Sequence, residues 1–287
     1  MRRIITNEGY SGEHAFAIGG NISNKIFFGA TLGISRISFT GHYEHLESAD
    51  YSLVSGFRNF TYTDHYENTG TGISFKIGTI VKPTEYVRIG FAFHSPVYYR
   101  IDEYFYDNIS SNFEGNDHYE FSNDAMRYNY AVTTPFRAIG GAAVQIKKIG
   151  LISAEYEFVD YATARFSETG DGYDYSEKNL QIKNSLKSTG NLRVGGELRL
   201  DKFYLRSGYG YYGKAFKQGE DNENLDYSSV TLGAGFREKN ISIDFGFAGY
   251  RNPQKYILYT SDAGDAIANM NTARNIFTLS VGYKFGY

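Results

Sequence analysis

Cysteine and tryptophan are absent from this 287-residue chain, and proline occurs only four times. The lack of cysteine fits passage through an oxidising compartment, although many cytosolic proteins lack it too. No stretch approaches the ~20 consecutive apolar residues that a membrane-spanning helix needs, which excludes a helical membrane protein. A formal net charge of −3 with no dominating basic patch argues against nucleic acid as a partner. The six histidines (14, 42, 45, 65, 94 and 118) are scattered.

What is present points elsewhere. Aromatics make up 17 % of the chain, with 27 Tyr and 22 Phe, and there are 32 Gly. Such aromatics suit girdles at two membrane interfaces, and glycine suits the inner wall of a barrel. The last residues carry the clearest pattern. Phe277, Leu279, Val281, Tyr283, Phe285 and Tyr287 alternate with Thr278, Ser280, Gly282, Lys284 and Gly286. A period of two is a strand with one greasy and one polar face. Outer-membrane β-barrels of Gram-negative bacteria end on such an aromatic strand, which their assembly machinery reads.

Period-two patterning and turn chemistry predict eleven strands, at 13–23, 26–46, 60–82, 87–109, 127–147, 151–168, 190–200, 203–216, 228–238, 241–259 and 271–287. The connections alternate in length. Short ones fall at 24–25, 83–86, 148–150, 201–202 and 239–240; long polar ones fall at 47–59, 110–126, 169–189, 217–227 and 261–270. Short turns on one side and long loops on the other are the pattern of an outer-membrane barrel. The fold class is therefore an all-β, antiparallel transmembrane barrel, read as one domain over 1–287. Many strands exceed the ~9–11 residues needed to cross the bilayer and should project beyond it.

Alternation places Arg137, Glu155, Glu157, Arg193, Glu197, Arg199, Arg206, Arg237 and Asp244 on the polar, lumenal face as a mixed-sign network. Met1-Arg2-Arg3 resembles the start of a signal peptide, but residues 4–12 supply no apolar core for one. With the C-terminus in the periplasm, eleven strands put the start of the first one outside the cell. Complete barrels have an even count, so an odd number of strands is expected to be missing before residue 13, unless the count is off by one.

Segments 21–35 (NISNKIFFGATLGIS), 70–101 (GTGISFKIGTIVKPTEYVRIGFAFHSPVYYRI), 133–162, 191–212 and 228–250 resemble, in order and spacing, the FadL-like outer-membrane transporters of long-chain fatty acids and other hydrophobic compounds. The resemblance implies a fourteen-stranded barrel with an N-terminal hatch, of which this chain would supply strands four to fourteen. It implies a hydrophobic small-molecule ligand, outer-membrane lipid and lipopolysaccharide as surroundings, the barrel assembly machinery as a partner, and no cofactor.

Enzyme chemistry is poorly supported. His42 and His45 are three apart on a strand and point to opposite faces; no metal site is expected. His94-Ser95 are adjacent and also point apart, unlike a nucleophile and its base. The loop 220–226 (EDNENLD) offers carboxylates for Ca²⁺ but reads more simply as a solvated loop. Pro96 interrupts strand 87–109 and removes a ladder hydrogen bond. A kink at Ser95-Pro96 is expected to turn aromatic side chains toward the upper lumen or a gap in the wall; Thr134-Pro135-Phe136 is a second interruption. The ligand-pathway candidates are His94, Tyr98, Arg100, Tyr104 and Phe136. The expected function is passive outer-membrane transport of hydrophobic or amphipathic compounds. The rivals are a structural or adhesive barrel with a plugged lumen, and a truncated fragment that does not transport.

Overall fold

The computed structural model describes residues 1–49, 56–170, 172–220, 222–261 and 264–285. One antiparallel sheet contains every strand among them. It begins with β1 (Arg2–Ile22), β2 (Ile26–Ser48) and β3 (Phe57–Val81), joined as successive hairpins. Next to β3 lie β4 (Val87–His94) on its lower part and β5 (Tyr98–Phe113) on its upper part. β6 (His118–Ser122) extends β5 at the loop end. Then come β7 (Met126–Thr133) against β5 and β8 (Arg137–Ile146) against β4, followed by β9 (Gly150–Asp160) on β8 and β10 (Arg165–Glu168) on β7. β11 (Ser188–Leu200), β12 (Phe203–Tyr212), β13 (Tyr227–Glu238), β14 (Ile241–Ser261) and β15 (Gly264–Tyr283) complete the sheet in chain order.

Three of the predicted strands are therefore broken ones: β4 with β5, β7 with β8, and β9 with β10. Taken as single crossings they restore the eleven strands read from the sequence. Elsewhere boundaries differ. The first strand, expected from residue 13, already includes residues 2–12, laddered from Arg2↔Leu46 to Gly12↔Arg36, because β2 is long enough to template them. The predicted loop 261–270 is largely ladder, with β14 and β15 paired up to Ser261↔Gly264. At the other end β15 stops at Tyr283, and Gly286 and Tyr287 lie outside the described residues.

Four of the five short turns are built by left-handed backbone, at Ser23 and Asn24, Lys147, Asp201 and Lys239 (φ 46–54°), which matches the twist of hairpin strands. All five short turns lie at one end of the sheet. β1 starts at the opposite, long-loop end, and β15 finishes at the turn end. The interior is inverted relative to a soluble protein. Among the described residues only Ala131 and Val159 are buried hydrophobics, whereas Phe91, Leu232, Phe277 and Leu279 stand exposed on the outer face. That is the surface a lipid solvent requires.

The sheet curls. Tyr227 on β13 lies within electrostatic reach of Arg137 on β8 and Glu157 on β9. At the long-loop rim the Arg3 guanidinium of β1 sits 5.8 Å from the Tyr256 ring of β14. Among the described residues no ladder joins β1 to β15.

Candidate lumenal pathway

The concave face carries an ion-pair ladder assembled by strand alternation. Glu157 on β9 is 4 % exposed. It accepts from Asn191 Nδ2 at 2.7 Å and Arg193 Nη2 at 3.1 Å, with Arg137 Nη1 at 3.9 Å. Arg193 also pairs with Glu155 and lies 5.5 Å from the Tyr212 ring. Lower down, Arg206 donates to Glu197 at 2.8 Å and to Asp244 at 2.6 Å. On the other wall Lys76 donates to Glu13 at 2.6 Å. All nine charges placed inside by alternation share this face. Most of these pairs are half-exposed to the lumen, so they organise the wall more than they stabilise it; Glu157 is the exception.

Glycines leave the room this needs. A Cβ at Gly235 would lie 2.4 Å from Asp244 Oδ1, and one at Gly33 would lie 2.7 Å from Glu13 Oε2. The lumenal side chains of β1 and β14 thus lean over positions that have no side chain. Between Arg193, Arg206 and Tyr212 they leave a cavity of about 540 Å³.

The strand breaks decide which residues line the upper part. The ladder between β3 and β4 runs to Lys76↔His94, and resumes with β5 at Ile73↔Tyr98. Only Ser74 and Phe75 therefore stand opposite Ser95, Pro96 and Val97. One residue is extra on the broken strand, a β-bulge. Pro96 cannot donate a ladder bond, and Ser95 takes over: its hydroxyl accepts from Phe75 N at 2.8 Å while its own N donates to Phe75 O at 2.8 Å. Val97 N is met by Thr134 Oγ1 at 2.9 Å, from the neighbouring break at 134–136. A third break at 161–164, one 3₁₀ turn with Asp160 capping Ala162 N, stands next in line.

One extra residue exchanges the faces of everything beyond it. In β4 the even-numbered residues face the lumen, His94 among them, within the field of Lys76, Arg137, Glu157 and Glu13. In β5 the odd-numbered residues do. Of the five sequence candidates only His94 is lumenal. Tyr98, Arg100 and Tyr104 face outward, opposite Ile73, Thr71 and Glu67. Phe136 also sits outside, its ring 5.9 Å from Phe93 and 6.1 Å from Phe158. The five are not one cluster but the two sides of one stretch of wall.

The residues that enter the upper lumen instead are Tyr99, Phe105, Tyr130 and Phe166. Tyr130 donates to Glu103 at 2.8 Å, and its ring lies tilted against that of Phe166 at 5.7 Å; both lie beside Tyr175 of the loop after β10. That loop carries α1 (Ser176–Ser185), whose Asn179 holds the open edge of β10 by accepting from Phe166 N at 2.8 Å and donating to Phe166 O at 2.9 Å. Simple alternation missed these four aromatics. The proline in each of two neighbouring strands was the available signal.

His42 does meet a second histidine, His65 across the ladder, with ring centroids 6.4 Å apart. Among the described residues no group of three or more potential metal ligands exists.

Residues 16–285 match the profile of a family described as outer membrane protein transport protein (OMPP1/FadL/TodX). No curated protein matches the chain in sequence. Among solved structures, a FadL homologue of Pseudomonas aeruginosa is similar with a TM-score of 0.64 at 16 % identity, over 99 % of this chain and 69 % of that one. The toluene transporter TodX of Pseudomonas putida gives 0.63 at 12 % identity, over 98 % and 71 %. The toluene transporter TbuX of Ralstonia pickettii gives 0.55 at 13 %, over 97 % and 69 %. At these identities the likeness concerns the fold.

Proposed function

The chain belongs to the OMPP1/FadL/TodX family of Gram-negative outer-membrane transport proteins, and from that premise we propose that it is a passive conduit for hydrophobic or amphipathic compounds such as long-chain fatty acids. The observation that carries this reading is the line of three adjacent strand breaks. Above it the lumen is lined by Tyr99, Phe105, Tyr130 and Phe166; below it, by the ion-pair ladder. A cargo entering from the loop end meets aromatic surface first, where burial is worth about 25 cal/mol per Å². It then reaches His94 at the break. Leaving through the wall there, it would pass Tyr98, Arg100, Tyr104 and Phe136 on the outer side; continuing downward, it would meet the charged floor. No covalent step is needed.

The rival reading, a structural or adhesive barrel, draws on the thorough pairing of the lumenal ions, which would plug a narrow interior. Uptake separates the two. A Gram-negative host lacking its own fatty-acid channel is given this protein and a labelled long-chain fatty acid. Saturable uptake, competed by unlabelled fatty acid and by toluene, is expected. Uptake no faster than in the empty host would retire the transport reading in favour of the structural one.

A further inference from the structure

The lower lumen holds an unbalanced charge cluster around one aromatic ring. The guanidinium carbons of Arg237, Arg199 and Arg206 lie 4.5, 5.0 and 5.8 Å from the Tyr204 ring centroid. The sheet register brings them together: Arg199↔Tyr204, Tyr204↔Gly235 and Gly235↔Asp244 form one row, with Glu197↔Arg206 above and Arg237 below. Three cations face two carboxylates, and the carboxylates are unequally shared. Arg206 takes the short contacts to both. Arg199 is left with Glu197 at 3.5 Å, and Arg237 with Asp244 at 3.8 Å. The Arg199 Nε is buried and has no hydrogen-bond partner among the described residues. The nearby Lys202 is already committed to Glu238 at 2.6 Å.

Two guanidiniums with donors to spare, flanking one ring in a restricted interior, make a seat for a planar anion. Arginine matches a carboxylate through paired N–H donors, and an unsatisfied buried donor is costly until something fills it. Gly233 and Gly235 let the Arg206 and Asp244 side chains lie flat along this stretch of wall, and the cavity of about 540 Å³ bounded by Arg206, Glu197 and Tyr212 lies directly above.

We propose that Arg199 and Arg237, framed by Tyr204, bind the carboxylate head of an amphipathic cargo at the turn-side mouth of the lumen, with its hydrocarbon part in the cavity above. This rests on the transport reading and narrows it: the protein favours ionised amphiphiles over neutral hydrocarbons. Arg206, held by both carboxylates, positions the floor.

The test uses the full chain in a nonionic detergent, with oleate and oleyl alcohol as probes and an isotopic label on the oleate carboxyl carbon for NMR. Wild type is expected to bind oleate about tenfold more tightly than the alcohol, or better. The R199Q/R237Q double variant should lose that preference while still binding the alcohol, and R199K/R237K should recover part of it. The labelled carboxyl should titrate at lower pH when bound to wild type than to the double variant. Equal affinity of wild type for oleate and alcohol overturns the head-group site and leaves transport standing. No binding of either probe overturns the transport reading itself. Displacement of oleate by inorganic phosphate at similar concentration would make the cluster a general anion site and overturn its assignment to amphiphiles. Should the double variant not fold, Arg237→Gln alone removes the more weakly held guanidinium, and the wild-type preference and titration still decide.

Discussion

Glu157 shows what one residue does in this wall. It is nearly fully buried and gathers Asn191, Arg193 and Arg137. Glu157→Ala leaves two guanidiniums and an amide facing one another without their anion. Breaking a buried pair from one side costs about 3–5 kcal/mol; the expectation here is a loss of at least about 3 kcal/mol in denaturant unfolding from lipid vesicles, with Glu157→Gln losing less. Its position was readable from the sequence, because β9 alternates without interruption from Leu151 to Val159. Tyr98 and Tyr104 were not placed so well. Their face depends on one uncounted residue at Pro96, and alternation alone cannot say on which side of a proline the count slips.

Among the elements, the strands themselves were the legible part: alternation and turn residues give the eleven crossings and the short turns with small shifts. What stayed hidden was whatever depends on partners distant in sequence. Residues 2–12 fall outside the strand read from alternation, and join it only because β2 is there to pair with them. The helix α1 has no strong amphipathic pattern and reads as loop; it is fixed by Asn179 standing in for a neighbouring strand at Phe166. Replacing Asn179 by Ala removes two hydrogen bonds, each worth about 1 kcal/mol. Limited proteolysis should then cut within 169–187 faster, while the β-sheet circular dichroism signal and the unfolding of the barrel stay close to wild type. Unchanged cleavage would mean that the rest of the loop, and not the clamp, holds it in place.

For the whole molecule, the sorting of long loops from short turns gave the orientation from sequence, and the structure adds a polarity of charge. Lys25, Lys82, Lys147, Lys148, Lys202, Lys239 and Lys284 gather at the turn end against Glu85, Asp201 and Glu238, whereas at the other end the loop residues Glu114, Asp117, Asp124, Asp174, Glu177, Glu220 and Glu223 outnumber Lys178, Lys183, Lys187, Lys214 and Lys217. The chain has no native cysteine to interfere with labelling. In intact cells a membrane-impermeant maleimide is expected to label Asp117→Cys, and to label Asn240→Cys only after the outer membrane is opened. The reverse pattern would invert the barrel.

The bulge at 95–97 also bears on how such a wall can change over generations. A point mutation there alters one side chain. Loss or gain of a single codon beside Pro96 would turn the whole of β5 over, sending Tyr99 and Phe105 into the lipid and Tyr98, Arg100 and Tyr104 into the lumen. A family built this way can exchange the lining of its upper channel in one short insertion or deletion, with the hairpin turns below untouched, so differences in cargo between relatives should track indels at these three breaks more closely than substitutions along the strands.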